Sequence, residues 1–97
     1  MENYSLSSSA QNDLVGIYKF GIKYFGIDQA VKYQHELENV FEELSKFPEI
    51  ARDATTIANG LKFFRYKAHY IFYQFEEDYR IYVVRVLGKR MNFVEHF

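Results

Sequence analysis

Apolar residues in the first half of the chain recur every three or four positions, which is the spacing of one face of an α-helix. The first set lies on a single helical stripe and comprises Leu14, Ile17, Tyr18, Gly21, Ile22 and Phe25. Ser7-Ser8-Ser9 precedes it, and serine is a favoured N-cap because its hydroxyl accepts a hydrogen bond from a free backbone N–H. Gly21 lies on the buried stripe, where the missing side chain allows a second helix to approach closely. The pattern predicts a first helix that ends at Gly26, a suitable C′ residue.

A second set of apolar residues keeps the helical spacing up to Pro48, which stops the run. Its members are Ala30, Tyr33, Leu37, Val40, Phe41, Leu44 and Phe47. Lysine and glutamate occupy the other faces, as expected for a helix with one buried side. We expect Asp28 to cap this second helix. Two amphipathic helices joined by a link of two or three residues predict an antiparallel helical hairpin.

From residue 61 onward the pattern changes to short runs that are rich in aromatic and β-branched residues, which is typical of strands. We expect strands over residues 61–66, 69–76 and 79–87, with Gly88 ending the last one, and a further short strand over residues 3–6. Lys67-Ala68 and Glu77-Asp78 are the expected turns, although the first lacks the usual glycine. Residues 49–60 show no period apart from the turn signal Asn59-Gly60. The order β-α-α-β-β-β predicts an α+β fold, with a helical hairpin packed on one face of a small, mostly antiparallel twisted sheet.

The middle strand is apolar on both of its alternating faces. Ile71, Tyr73 and Phe75 lie on one face, and Tyr70 and Phe72 lie on the other. A sheet that is covered on one side only would alternate apolar with polar residues. The second face is therefore a candidate surface for a partner.

Composition limits the class of protein without changing this picture. Ninety-seven residues, 48% of them hydrophobic, suit a single domain over residues 1–97. The absence of cysteine excludes disulfides and thiolate metal sites. The N-terminus Met1-Glu2-Asn3-Tyr4 lacks the basic start and apolar run of a signal peptide, so a cytoplasmic location is expected. Residues 28–53 hold seven acids against three bases, whereas residues 54–97 hold seven bases against four acids.

An ordered set of short motifs resembles the ParE-type toxins of the ParE/RelE superfamily. In the helical half the matching residues are Ala10, Asp13, Leu14, Ile17, Gly26, Gln29, Ala30, Tyr33, Leu37, Phe41 and Leu44. In the strand half they are Pro48, Arg52, Gly60, Leu61, His69, Ile71, Phe72, Tyr73, Arg85, Val86, Leu87, Arg90, Met91 and His96. The resemblance covers nearly the whole chain and implies a RelE/ParE-like fold. The chain departs from many members at Ala51, where they have glycine, and at Gly88-Lys89-Arg90, which is closer to the RelE branch.

The resemblance implies a non-enzymatic toxin of a bacterial type II toxin–antitoxin system. Such a toxin inhibits DNA gyrase, blocks DNA replication and is neutralised by direct binding of a cognate, ParD-like antitoxin. The antitoxin is expected to bind the second sheet face and a groove beside the helices. The candidate antitoxin-binding residues on the sheet face are Tyr70, Phe72, Tyr82 and Val84. The resemblance also implies that the toxin has no cofactor, does not associate with a membrane and does not by itself bind a specific DNA sequence.

The C-terminal residues 90–97 are the implied contact with gyrase. The candidate target-binding residues are Arg90, Met91, Phe93, Val94, His96 and Phe97. Four of these are apolar, and we expect about half of the four to pack back onto the sheet. The rest are then free for a target.

The alternative function is that of a RelE-like, ribosome-dependent mRNA endoribonuclease. Cleavage of RNA needs cations near the developing phosphorane charge and a general acid or base. The candidate catalytic residues of this alternative are Arg65, Arg85, Lys89, Arg90 and His96. The opposing interpretation is that Arg85 pairs with a carboxylate, and a pI of about 6.3 is low for a ribosome binder. A third possibility is a structural homologue that no longer poisons any target.

The remaining polar candidates have structural explanations. His35, His69 and His96 are scattered without the spacing of a metal site, so no metal is expected. His69 opens a strand and is interpreted as a capping or turn-bonding histidine. Asp13 lies near the start of the first helix, where the helix dipole favours a negative charge.

Overall fold

A computed structural model of the protein describes residues 3–97. Met1 and Glu2, the first residues of the segment considered above for a signal peptide, lie outside the described residues. The helices and strands are β1 (Tyr4–Leu6), α1 (Ser8–Phe25), α2 (Ile27–Lys46), β2 (Arg52–Asp53), β3 (Lys62–Tyr66), β4 (His69–Phe75) and β5 (Ile81–Gly88). Short 3₁₀ turns occupy Pro48–Ile50, Glu77–Tyr79 and Phe93–His96. The predicted α+β fold is confirmed, with β2 as an additional strand.

The five strands form one mixed sheet in the order β1-β5-β4-β3-β2. β3, β4 and β5 pair as the expected antiparallel meander, and β1 joins the far edge parallel to β5. The β3–β4 turn has no glycine, so Lys67 takes the left-handed backbone itself, with φ of 52°. β2 pairs with β3 through two residues only. So short a strand carries no alternating pattern, which is why sequence periodicity did not predict it.

A single residue connects the two helices. Gly26 ends α1, where its N–H donates to the Ile22 carbonyl, and its own carbonyl accepts from Ala30 at the start of α2. Its φ of 91° is a backbone conformation that suits glycine. The prediction that Asp28 caps α2 was therefore wrong, because the helix begins at Ile27 and Asp28 already lies in its first turn. Its charge there still favours the helix dipole.

The two helices pack closely where Gly21 faces α2. A Cβ atom added at Gly21 would lie 3.1 Å from the Ala30 Cβ, which is tighter than ordinary van der Waals contact. The predicted role of Gly21 in helix approach is confirmed. The opposite end of α1 is also as expected, since the Ser7 hydroxyl caps it by accepting from Ala10 N–H at 2.9 Å.

Both faces of the sheet carry a hydrophobic cluster, which explains why β4 is apolar on both sides. The face under the helical hairpin holds the larger cluster, with Leu37, Phe41 and Leu44 of α2 against Ile71, Tyr73, Ile81, Val83 and Val86. The other face holds Ala54, Leu61, Phe72 and Leu87, covered by residues near Ile57 and by Phe93. Among residues 3–97, no helix is long and apolar enough to cross a membrane.

Candidate functional site: an apolar groove and an ordered C-terminal tail

An apolar groove lies between α1, the β3–β4 turn and the end of β5. It has two adjoining parts, of about 590 Å³ and about 440 Å³. Ile17, Phe20, Ala68 and His69 line both parts, so the two are continuous. Lys67, Lys89 and Arg90 also line it and give it a cationic rim.

The end of the helical hairpin exposes a patch of large apolar side chains beside this groove. The hairpin-end patch consists of Phe20, Tyr24, Phe25 and Ile27, of which Phe25 is 68% exposed and Phe20 57%. The rings of Phe20 and Tyr24 contact each other at a tilt of 40°, with centroids 4.5 Å apart. Phe20 and Phe25 belong to the groove as well. A contiguous exposed apolar patch is typical of a surface that binds a partner.

A tyrosine–histidine pair lies on the groove wall. The Tyr33 hydroxyl and His69 Nδ1 are 2.7 Å apart. Burial lowers the pKa of His69 below its ordinary value and raises the pKa of Tyr33 to about 12. Both directions favour neutral groups, so we assign the Tyr33 O–H as donor to the unprotonated Nδ1 of His69. The interpretation of His69 as a turn-bonding residue is thus replaced by a side-chain bond to α2.

A second set of polar contacts joins α2 to the β3–β4 turn. Glu36 accepts hydrogen bonds at 2.6 Å from both Tyr66 and Lys67. The bond from Lys67, and then that from Tyr66, lowers the pKa of the Glu36 carboxyl. The Lys67 ammonium also lies 5.9 Å from the centre of the Tyr33 ring. These contacts hold the turn against α2 and so fix one wall of the groove.

The C-terminal tail, residues 90–97, begins at the groove, which Arg90 and Met91 line, and its later residues lie on the sheet face opposite the helices. The rings of Phe93 and Phe97 contact Phe72, with centroids 5.1 Å and 5.0 Å from it, and Phe93 also contacts Tyr70. Phe72 is consequently only 2% exposed. Val94 points the other way and is 69% exposed. The structure therefore divides the apolar tail residues into two that pack and others that face outward.

Arg85 ties the tail to the body of the protein. Its Nε and Nη2 each donate to Asp13 at 2.8 Å, and its Nη1 donates to the His96 carbonyl at 2.9 Å. Asp13 also accepts from the Val86 backbone N–H at 2.9 Å. Hydrogen bonding to Asp13 raises the pKa of the Arg85 guanidinium above its ordinary value. Asp13 lies past the first turn of α1, so these contacts, rather than the helix dipole, account for it.

The residues named for RNA cleavage are not gathered into one cluster. Arg85 is already paired with Asp13, as the opposing interpretation expected, and meets His96 through its backbone carbonyl. Arg65 lies on β3, across β4 from Arg85, where its Nε donates to the Lys67 carbonyl and its guanidinium lies over the Tyr70 ring. Lys89 and Arg90 are exposed at the rim of the groove. Within residues 3–97, no three His, Asp or Glu side chains are placed to hold a metal ion.

The residues named for antitoxin binding have different environments. Tyr82 and Val84 on β5 are partly exposed, and so is Tyr70 on β4. Phe72 lies beneath the tail and reaches a partner only when the tail moves. The hairpin-end patch and Asp13 were not among the predicted site residues. The exposed patch had one sequence signal, since Phe20 and Tyr24 lie off the stripe of the first helix yet are aromatic.

Fold and groove define the class of this protein: a small α+β protein in which a helical hairpin crosses a mixed sheet and leaves an apolar groove open beside it. Within that class, residues 4–93 match the family model described as ParE toxin of type II toxin-antitoxin system, parDE. The chain belongs to the ParE toxin family.

Individual relatives agree with this assignment. Toxin ParE1 of Mycobacterium tuberculosis is 34% identical over 89 residues, which cover 92% of this chain and 91% of the relative. Toxin ParE1 of Caulobacter vibrioides is 28% identical over 96 residues, covering 99% and 98%. A solved chain of the chromosomal ParDE TA system from P. aeruginosa has the same fold, with a TM-score of 0.73 at 14% identity over 91% of this chain and 96% of that one.

Proposed function

We propose that this ParE toxin inhibits DNA gyrase in the bacterial cytoplasm and so blocks DNA replication, acting by binding rather than by enzymatic chemistry. A cognate ParD-like antitoxin neutralises it by direct binding. Membership of the ParE family supports the general scheme. The single observation that carries the gyrase contact is the C-terminal tail, which is held on the sheet with Val94 turned outward.

The tail has the features of a small binding element. Phe93 and Phe97 anchor it on Phe72, so little conformational entropy remains to be lost when a target binds. Val94 and Met91 give it an exposed apolar surface, and Arg90 gives it a positive charge. An apolar centre with a charged margin is the usual anatomy of a protein interface.

The antitoxin is proposed to occupy the groove with an amphipathic segment. Such a segment places its apolar face in a hydrophobic groove and contacts the groove through residues at helical spacing. The hairpin-end patch supplies apolar surface, with Phe20 at the centre. Lys89 and Arg90 on the rim favour acidic residues on the antitoxin, whereas the charge of Lys67 is already paired with Glu36.

The second sheet face remains a proposed part of the antitoxin contact. Tyr82 and Val84 are accessible there without any movement of the tail. Tyr70 is partly accessible and contacts Phe93. Phe72 would join the contact only if the antitoxin displaced Phe93 and Phe97.

Two assays on the purified toxin test the proposed target. We expect inhibition of gyrase supercoiling, or accumulation of cleaved plasmid, and no mRNA cleavage in a translation extract. Addition of the antitoxin encoded beside the toxin should restore supercoiling. The opposite result, mRNA cleavage with normal supercoiling, would replace the proposal by the ribonuclease alternative. The pairing of Arg85 with Asp13 weighs against that alternative, because it occupies a cation that phosphate chemistry would need.

A further inference from the structure

Arg85 connects three parts of the molecule: helix α1, its own strand β5 and the C-terminal turn. Its guanidinium donates to both oxygens of Asp13 on α1, and from β5 it also reaches the His96 carbonyl in the last turn of the chain. The side chains of Arg85 and Asp13 are only 18% and 13% exposed. A planar guanidinium can serve two directions at once, because its donors lie in a fixed fork.

The position of Asp13 follows from the edge of the sheet. β1 pairs with β5 only as far as Val83, and Ser7 continues the edge by bonding the Val83 and Val84 carbonyls. Beyond that point the Val86 N–H has no strand to receive it, and Asp13 Oδ2 accepts it instead. Asp13 therefore completes the sheet edge and also presents a carboxylate that orients Arg85.

The bond to His96 fixes something that ring packing leaves open. Phe93 and Phe97 both rest on Phe72, and these ring contacts hold two side chains of the tail but make no hydrogen bond to its backbone. The carbonyls in the last turn of a helical segment have no partner within the segment, so His96 offers a free acceptor. The Arg85 bond to that acceptor is a direct polar contact between the sheet and the backbone of the turn that carries Val94.

We propose that Arg85 is a positioning residue for gyrase inhibition, with Asp13 holding its guanidinium in the orientation that fixes the C-terminal turn. This inference rests on the proposed contact between the tail and gyrase. In this arrangement Arg85 holds the tail and is not available to bind an RNA phosphate, as the ribonuclease alternative would require.

The test uses a tryptophan reporter in the tail. The chain contains no tryptophan, so Phe97→Trp introduces a single one whose emission reports packing on Phe72. In this background Arg85→Lys keeps a positive charge beside Asp13 but cannot bond both Asp13 oxygens and the His96 carbonyl. We expect red-shifted emission in this background and, when Arg85→Lys is made in the toxin with its own Phe97, about a tenfold loss of supercoiling inhibition, as for the loss of one charge-assisted hydrogen bond. The far-ultraviolet circular dichroism should stay that of the parent.

Asp13→Asn is the second variant and Asp53→Asn is the matched control. The amide of Asp13→Asn would keep one acceptor but lose the charge that orients Arg85, so this variant should shift the emission in the same direction. Asp53→Asn breaks the exposed Lys62–Asp53 pair at the other end of the sheet and should change neither emission nor inhibition. If Arg85→Lys leaves the emission unchanged, Arg85 does not hold the tail and the inference fails.

The failure of the inference can be told apart from that of the proposed function. If Arg85→Lys shifts the tryptophan emission to the red but inhibits gyrase fully, while Val94→Asp weakens inhibition, the role of Arg85 alone is overturned. Full inhibition by Val94→Asp as well would overturn the tail as the gyrase contact. Emission of the reporter does not involve gyrase, so it tests the hold on the tail in either case.

Discussion

At the scale of single residues, the pair formed by Tyr33 and His69 decides how the groove wall responds to pH. His69 Nδ1 is 2.7 Å from the Tyr33 hydroxyl, and both groups are partly buried. Burial lowers the pKa of His69 because the charged imidazolium loses hydration there. A protonated Nδ1 could no longer accept from Tyr33, so protonation would reverse the bond, with Nδ1–H donating to the Tyr33 oxygen, and would leave a charge in a partly buried site between α2 and β4.

This pair predicts loss of stability in mild acid. The unfolded state, in which His69 titrates near 6.5, binds more protons than the folded state around and below that pH. The stabilisation is therefore complete above pH 6.5 and is lost as the pH falls through the lower pKa of the folded state. Urea unfolding measured between pH 7.5 and pH 5, a range that brackets the ordinary histidine pKa of about 6.5, should show the free energy of unfolding falling as the pH falls. His69→Gln should make this slope shallower. His35→Gln, on the exposed side of α2, controls for removal of a histidine; an unchanged slope in His69→Gln would contradict the assignment.

Tyr73 gives a second prediction at this scale. Its hydroxyl is a buried side-chain polar atom without a hydrogen-bond partner in the described part of the chain, and burial raises its pKa to about 12. Removal of an unsatisfied polar group by Tyr73→Phe should raise the free energy of unfolding by about 1 kcal/mol. Tyr66→Phe is the matched control, since that hydroxyl donates to Glu36, and it should lower the free energy of unfolding by about 1 kcal/mol. A less stable Tyr73→Phe protein would show that the hydroxyl has a partner.

At the scale of elements, the helical hairpin depends on the close contact between Gly21 and Ala30. α1 and α2 are joined by Gly26 alone, so the helices cannot move apart freely at that end. A Cβ atom added at Gly21 would lie 3.1 Å from the Ala30 Cβ, whereas one added at Gly16 would meet nothing within 4 Å. The two glycines of α1 therefore differ in what they tolerate.

Valine substitutions at the two positions test this difference. Gly21→Val should lower the free energy of unfolding by roughly 1–3 kcal/mol, because overpacking displaces α2. Gly16→Val should change it by less than about 0.5 kcal/mol, since valine has a somewhat better helix propensity than glycine and its Cβ meets no neighbour. Urea unfolding measures both. Equal stability of the two variants would mean that the hairpin contact is not tight.

The elements also show how far the sequence predicts this structure. Both helices and the meander followed from regular spacing of large apolar residues, and the serine cap and Gly21 followed from residue chemistry. β2 did not, because two residues have no period. The predicted cap at Asp28 was wrong because Gly26 alone links the helices, so α2 begins before Asp28. The Asp13–Arg85 contact joins residues 72 positions apart, and such a contact is fixed by the packing of α1 on β5 rather than by any local pattern.

At the scale of the whole molecule, the sheet separates two surfaces with different proposed partners. The groove and the hairpin-end patch border the helices, whereas Phe93 and Phe97 hold the tail on the opposite face. The positive half of the chain, residues 54–97, contributes the cations Lys67, Lys89 and Arg90 to the groove. Substitutions at Phe20 in the groove and at Val94 in the tail should therefore affect antitoxin binding and gyrase inhibition separately, whereas Arg90 and Met91 belong to both surfaces.

Phe20→Glu tests that separation from the groove side. The change puts a negative charge in an apolar groove that is proposed to receive an acidic segment, so affinity for the antitoxin should fall about a hundredfold, as for the loss of an interface hot spot. Inhibition of gyrase should persist. Val15→Glu, on an exposed part of α1 outside the groove, is the control and should keep normal affinity. Isothermal titration calorimetry gives the affinities; normal binding by Phe20→Glu would place the antitoxin elsewhere.

The most direct test of the whole account is a supercoiling titration with toxin that carries Val94→Asp. Val94 faces solvent, so the change should leave the fold and the packing of Phe93 and Phe97 intact while placing a charge on the proposed contact. Val15→Asp is the same substitution on exposed α1 and should inhibit gyrase like the unaltered toxin. We expect Val94→Asp to need at least about a tenfold higher concentration for half inhibition, as for loss of one well-packed interface contact. Equal inhibition by the two variants would contradict the tail as the surface through which this toxin acts.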